Sequence, residues 1–155
     1  MDGQYALPQN QSQSDALKMK YLIDTDAFSE MVKGVNAKIV KRLESLQTGD
    51  AGLSVIARDE IAFGVQIHSL KASAKQRLDR LLDVIETLPL PANAANNYGE
   101  LRAHLRRLGT PIVPNDLWIA AHARAANLIL VTNNVGKFSR VPKLKLENGL
   151  LSGSR

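Results

Sequence analysis

Residues 21–24 read YLID, a short run of large apolar and aromatic side chains closed by an acid, and this stretch decides the fold. Its length suits a strand rather than a buried helix, and the pattern after it changes to a brief helix over residues 27–33. The same alternation continues to the end of the chain. NAKIVKRLESL (36–46) sets Ile39, Leu43 and Leu46 on one side of a helix, GLSVI (52–56) reads as the next strand, and a helix bearing Asp59 and Glu60 follows. A charged helix, ASAKQRLDRLLD (72–83), leads to VIETLPL (84–90), a strand closed by Pro89 and Pro91. The next helix aligns Ala94, Tyr98, Leu101, Leu105 and Leu108 and stops at Gly109. Then come the alanine-rich helix NDLWIAAHARAAN (115–127), the strand LILVT (128–132), the turn NNVGKF (133–138) and a last strand, KLKLE (143–147). Short strands alternating with helices imply an α/β fold, a mostly parallel central sheet flanked by helices in three layers.

The chain has 155 residues, the size of one domain. Residues 1–18 are rich in Gln, Ser and Asn without apolar periodicity and are expected to be a disordered extension. The folded domain is expected over residues 19–150, with residues 151–155 as a flexible tail. With 20 Lys and Arg against 15 Asp and Glu, the net charge is +5, which favours a polyanionic partner. Aromatic residues make up only 5%, which argues against a single-strand binder built on base stacking. The absence of cysteine excludes disulfides, zinc–thiolate sites and thiol nucleophiles together. There is neither an apolar run near the ~20 residues of a membrane span nor a secretory leader pattern, so a cytoplasmic protein is expected.

One acid breaks the pattern. At helical spacing Glu60 shares a stripe with Ile56, Phe63, Gly64 and Ile67, so a carboxylate occupies what reads as a core position. A buried carboxylate needs a cation, a shifted pKa or a metal. The other candidate positions are acids and amides at strand ends, where open α/β sheets bind ligands. Asp24 ends the first strand, Asp116 stands at the start of the helix after Pro114, and Asn133 and Asn134 follow LILVT. Singly, Asp24 and Asp116 also fit helix caps, the asparagines fit a turn, and Glu60 fits a buried ion pair with Arg58 or a distant lysine. Together they favour a metal site. Carboxylates without His or Cys select hard cations such as Mg2+ or Mn2+. Acids in a basic protein then have a purpose: a divalent ion inverts the local charge, surrounding Lys and Arg attract a polyanion, and an activated water hydrolyses a phosphodiester.

Four blocks, YLIDTDAF (21–28), SVIARDEIAFGV (54–65), GTPIVPNDLWIAAHA (109–123) and LILVTNNVGKF (128–138), resemble in order and spacing those of PIN-domain ribonucleases of the VapC toxin type. The resemblance covers residues 19–148. It implies that Asp24, Glu60 and Asp116 form the catalytic, metal-holding triad, with Asn134 standing where many members have a fourth acid and Thr132 and Asn115 in support. It further implies an endoribonuclease toxin that dimerises, cuts a structured RNA such as tRNA or ribosomal RNA, and is silenced by a small VapB-like antitoxin. This chain departs from the family pattern at Asp26, where Asn is usual, and at Asp59, where an uncharged residue is usual.

Two other functions fit part of the pattern. DTD at residues 24–26 resembles the motif of haloacid-dehalogenase-type phosphatases, with Asp24 as nucleophile and Asp26 as general acid, but Ala27 and Phe28 follow and NNVGKF lacks their late acidic pair. A catalytically silent RNA-binding protein of the same fold would not need the intact triad. Arg102 and Arg106, one turn apart, are candidate RNA contacts, as are Lys71, Lys75 and Arg77. His68, His104 and His122 are too widely spaced for a metal pair, and Tyr98 and Trp118 read as packing anchors.

Overall fold

Tyr21–Ile23 (β1) is the centre of a five-stranded, all-parallel sheet in the order β3-β2-β1-β4-β5. The other strands are Ala51–Ser54 (β2), Glu86–Leu88 (β3), Ile129–Thr132 (β4) and Lys145–Asn148 (β5). The helices are Thr25–Lys33 (α1), Ala37–Ser45 (α2), Val55–Ile67 (α3), Ala72–Val84 (α4), Ala94–Arg107 (α5), Pro114–Ala125 (α6) and Val135–Phe138 (α7). This computed structural model describes residues 19–149, so the expected extension at 1–18 and tail at 151–155 lie outside the described residues. No described helix is long and apolar enough to cross a membrane.

The expected α/β architecture is present, with local differences at element ends. Val55 and Ile56 belong to α3 rather than to the strand before it, because Ser54 caps the helix by accepting a hydrogen bond from Ile56 N–H at 3.3 Å. The turn expected at 133–138 holds the single-turn helix α7, capped by Asn134, whose side chain accepts from Lys137 N–H. Gly34 ends α1 at φ 66°, a left-handed conformation that costs glycine little. Arg77 of α4 folds over that end, its Nε donating to the Val32 carbonyl and its Nη2 to that of Lys33, both at 2.7 Å. Arg77 is thereby engaged in structure, unlike an RNA-facing arginine.

Strand order sets the site. Successive connections run β1 to β2 to β3 in one direction, whereas β4 and β5 lie on the opposite side of β1. The order reverses between β1 and β4, the switch point at which open parallel sheets leave a crevice beyond their carboxyl ends. Ile23 pairs with Leu53 on one flank and with Val131 on the other. The next residue, Asp24, therefore emerges between Ser54 and Thr132. Beneath it Leu22, Ile23, Leu53 and Leu130 are fully buried, each side chain stabilising the fold by roughly 1.5–3 kcal/mol.

The apolar stripe proposed for α3 meets this core only at its Ile56 end. Phe63 and Ile67 are 64% and 57% exposed, Ala57 is the buried residue of the helix, and Glu60 is half-buried. Helical periodicity identifies which residues share a face, but not whether that face meets the sheet. In the same way Leu108, in register with the α5 stripe, is 60% exposed, while Ala94, Leu101 and Leu105 are buried.

Candidate active site

Besides the Phe28 N–H from which its carbonyl accepts at 2.9 Å, Asp24 has three attachments that fix it at the sheet edge. Its backbone N–H donates to the Val131 carbonyl at 2.8 Å, continuing the β1–β4 ladder by one residue. Its Oδ1 accepts from Thr25 N–H at 2.9 Å, capping α1. Its Oδ2 accepts from the Thr132 hydroxyl at 2.9 Å. Thr132 Oγ1 in turn accepts from Asn134 N–H at 3.0 Å, so the end of β4 and the turn after it are tied to the same carboxylate. Asp24 is 2% exposed, and its carboxyl is raised from 3.8 to about 6. Burial is the main cause, reinforced by the charges of Asp116 and Asp26 and opposed by the Thr132 and Thr25 bonds.

Glu60 reaches the same charge cluster from α3. Burial raises its carboxyl above the ordinary glutamate value, followed by repulsion from Asp116, Asp24 and Asp26, with the Asn115 amide acting against the rise. Its Oε1 is buried and has no hydrogen-bond partner. The ion pair that was the ordinary alternative for Glu60 is absent among the described residues. Its predicted meeting with Asp24 and Asp116 therefore rested on a partly wrong premise, a core-facing stripe, although the three acids do feel one another's charge.

Asp116 lies in the first turn of α6, behind Pro114, where the helix end favours negative charge. Its Oδ2 accepts from Lys137 Nζ at 2.7 Å. Lys137 was not anticipated from sequence. It comes from α7, and the Asn134 cap three residues earlier is the one local signal that orients this turn. Asn134 itself is exposed, with its side-chain oxygen engaged as that cap, and Asn115 is exposed beside Glu60.

Asp26 and Asp59 are both exposed, outside the ring of close contacts. His122 is buried, with Nδ1 2.9 Å from Ser54 Oγ, and burial lowers its ring from 6.5 to about 4. It is a neutral packing residue that ties α6 to the end of β2. Tyr98 and Trp118 stack with ring centroids 3.9 Å apart, joining α5 to α6 as anchors. Arg102 and Arg106 are exposed and line a cavity of about 340 Å3 with Tyr98, Pro111 and Pro114.

The donor set suits a hard divalent cation: all side-chain oxygens, two carboxyls destabilised by burial and like charge, and an orphaned oxygen on Glu60. Among the described residues, no three acids or histidines are already gathered at metal-ligand spacing. Asp24 Oδ1 accepts from Thr25, Asp24 Oδ2 from Thr132 and Asp116 Oδ2 from Lys137, one bond each, so every one of these oxygens keeps a lone pair for a cation.

Residues 21–144 match the PIN domain family. The chain is 36% identical over 131 residues to the ribonuclease VapC2 of Rickettsia felis, spanning 84% of this chain and 98% of that protein. It is 32% identical over 130 residues to the tRNA(fMet)-specific endonuclease VapC of Shigella flexneri, with the same coverage of both chains. A solved structure of VapBC2 from Rickettsia felis, bound to a DNA fragment from their promoter, superposes with a TM-score of 0.74 at 35% identity, over 84% of this chain and 98% of that one. With the acids at the switch point of an all-parallel sheet, these likenesses establish that the chain belongs to the PIN-domain family and is an endoribonuclease of the VapC toxin type.

Proposed function

We propose that Asp24, Glu60 and Asp116 hold a divalent cation, Mg2+ or Mn2+, at which a phosphodiester of structured RNA is hydrolysed. The observation that carries this is the burial of Asp24 at the switch point, its carboxyl raised to about 6 by burial and by neighbouring acids. A charge kept at that cost, fixed by two hydrogen bonds, is expected where a cation is to be bound. When bound, the ion would lower the pKa of a water and offset the charge that builds on the phosphate oxygens. The protein's own part is positioning. Thr132 and the Thr25 N–H hold the Asp24 carboxylate at the sheet edge, and Glu60, with its free Oε1, offers the least committed oxygen. Asn115 steadies Glu60. Because the Asn134 oxygen serves α7, we assign Asn134 to shaping the loop rather than to holding the ion, in place of the ligand role expected from sequence.

The substrate class we propose is tRNA or ribosomal RNA. Folded RNA is recognised through shape and phosphates, which suits a basic chain poor in aromatic residues. Arg102 and Arg106 are assigned to phosphate contact on their exposed face. A VapB-like antitoxin is the proposed partner, supported by the VapBC assembly among the structural relatives and by the uncovered Phe63 and Ile67 on α3. The proposed active form is a cytoplasmic homodimer. Purified protein with Mn2+ should cut folded RNA and leave a small phosphomonoester intact. Asp24→Asn and Asp116→Asn should abolish cutting with unchanged circular dichroism. If both variants cut as well as the parent, the site assignment is wrong.

A further inference from the structure

The acids of this site already have one cation among them. Lys137 Nζ lies 2.7 Å from Asp116 Oδ2, and the pair is largely withdrawn from solvent, at 24% and 16% side-chain exposure. A surface lysine reaching a carboxylate is ordinarily worth little and is freely exchanged. This one is held from both ends. Its helix α7 is fixed by the Asn134 cap, whose backbone N–H bonds Thr132, which bonds Asp24. The ammonium also lies 5.6 Å from the centre of the fully buried Phe138 ring. The position of Lys137 is therefore set by the same chain of contacts that sets Asp24.

We propose that Lys137 is a fixed cation standing where a second divalent ion would otherwise sit, so that the site takes one ion and a lysine, with Lys137 contacting the RNA phosphate. This rests on the metal-site assignment of the preceding subsection. Nuclease sites that use two ions employ them as a clamp on the attacking and leaving oxygens. Asp116 Oδ2 serves the ammonium, while the charge of Asp116 is also felt by Asp24 and Glu60, the carboxylates assigned to the ion. A second divalent ion close to Asp116 would meet the Lys137 charge directly and be repelled. The ammonium differs from an ion in one respect that matters to the cell: it is present whatever the metal supply. A phosphate approaching Asp116 meets a positive charge already in place.

The test counts ions directly. Mn2+ binding to the full chain, followed by electron paramagnetic resonance of free Mn2+, should give one ion per chain for the wild type and for Lys137→Arg, and two for Lys137→Gln. Asp24→Asn should bind none. In parallel, binding of folded RNA in chelator should lose about one from its salt-dependence slope in Lys137→Gln and none in Lys137→Arg. Circular dichroism confirms that each variant is folded. Two ions in the wild type, one ion in Lys137→Gln, or an unchanged salt slope in that variant overturns the proposal. Mn2+ binding that survives in Asp24→Asn overturns the metal site beneath it, a failure recognisable because it does not involve Lys137.

Discussion

In the presence of a chelator, Asp24→Asn should make the protein more stable near neutral pH and change how its stability depends on acid. The Asp24 carboxyl is raised from 3.8 to about 6, so between those values the folded protein keeps a proton that the unfolded chain has released. Its contribution is fully present below pH 3.8 and is lost as pH rises through 6, an effect of about 3 kcal/mol. His122 works in the opposite sense. Its ring is lowered from 6.5 to about 4, so its contribution is present above pH 6.5 and is lost as pH falls through 4, again by about 3 kcal/mol. In the wild type the two nearly cancel across that window. Asn at position 24 can still cap Thr25 but bonds Thr132 less well than a carboxylate, at a cost of about 1 kcal/mol. The variant should therefore gain roughly 1–2 kcal/mol at neutral pH, and its stability should fall steeply with acid. Urea unfolding followed by circular dichroism, with EDTA, at several values from about pH 4.5 to about pH 7.5 measures both quantities. A variant less stable than the parent at neutral pH, with a parallel pH dependence, would refute the reasoning. His122→Asn should show the reverse slope, which guards against a general acid effect.

Three further outcomes are expected. Thr132→Val removes the hydroxyl that donates to Asp24 and accepts from Asn134, so it should cost about 1–3 kcal/mol in urea unfolding and lower kcat/KM at least as far as the loss of Asp24 orientation requires, about tenfold. Gly34→Ala places a side chain at φ 66° and a Cβ 2.5 Å from Arg77 Nε, and should lower the melting temperature by the equivalent of about 1–2 kcal/mol while activity per folded molecule stays unchanged. Replacing both Arg102 and Arg106 by Ala should weaken RNA binding and reduce its salt slope by about two; an unchanged slope would remove them from the interface.

The elements that sequence conveyed well are those whose signal is local. YLID and LILVT are short, apolar and bounded by polar turns, and each became a strand within a residue or two of the expected ends. Asp24 and Asp116 were legible because an acid at a strand end or a helix start has a definite place in a parallel sheet. Glu60 was legible for a weaker reason: it was found through a stripe taken to be buried, whereas Phe63 and Ile67 on that stripe are largely exposed. Lys137 was not legible at all. A lysine in a turn ordinarily marks solvent, and its contact with Asp116 spans 21 residues and depends on how α7 is capped. The pairing of His122 with Ser54 is hidden for the same reason, since 68 residues separate the partners. Long-range polar contacts leave no periodic trace along a chain.

The hydrogen bond from Thr132 to Asp24 joins residues 108 positions apart, because the sheet order seats β4 against β1. During synthesis the first strand and its acid leave the ribosome long before the strand that completes their environment. Until β4 docks, Asp24 lacks its hydroxyl partner, Asp116 lacks its lysine, and α7 with Lys137 has yet to form. A nascent or truncated chain carries the first two blocks of the site but cannot assemble it. For an endoribonuclease of the toxin type, this strand order makes the nuclease one of the last things the chain becomes.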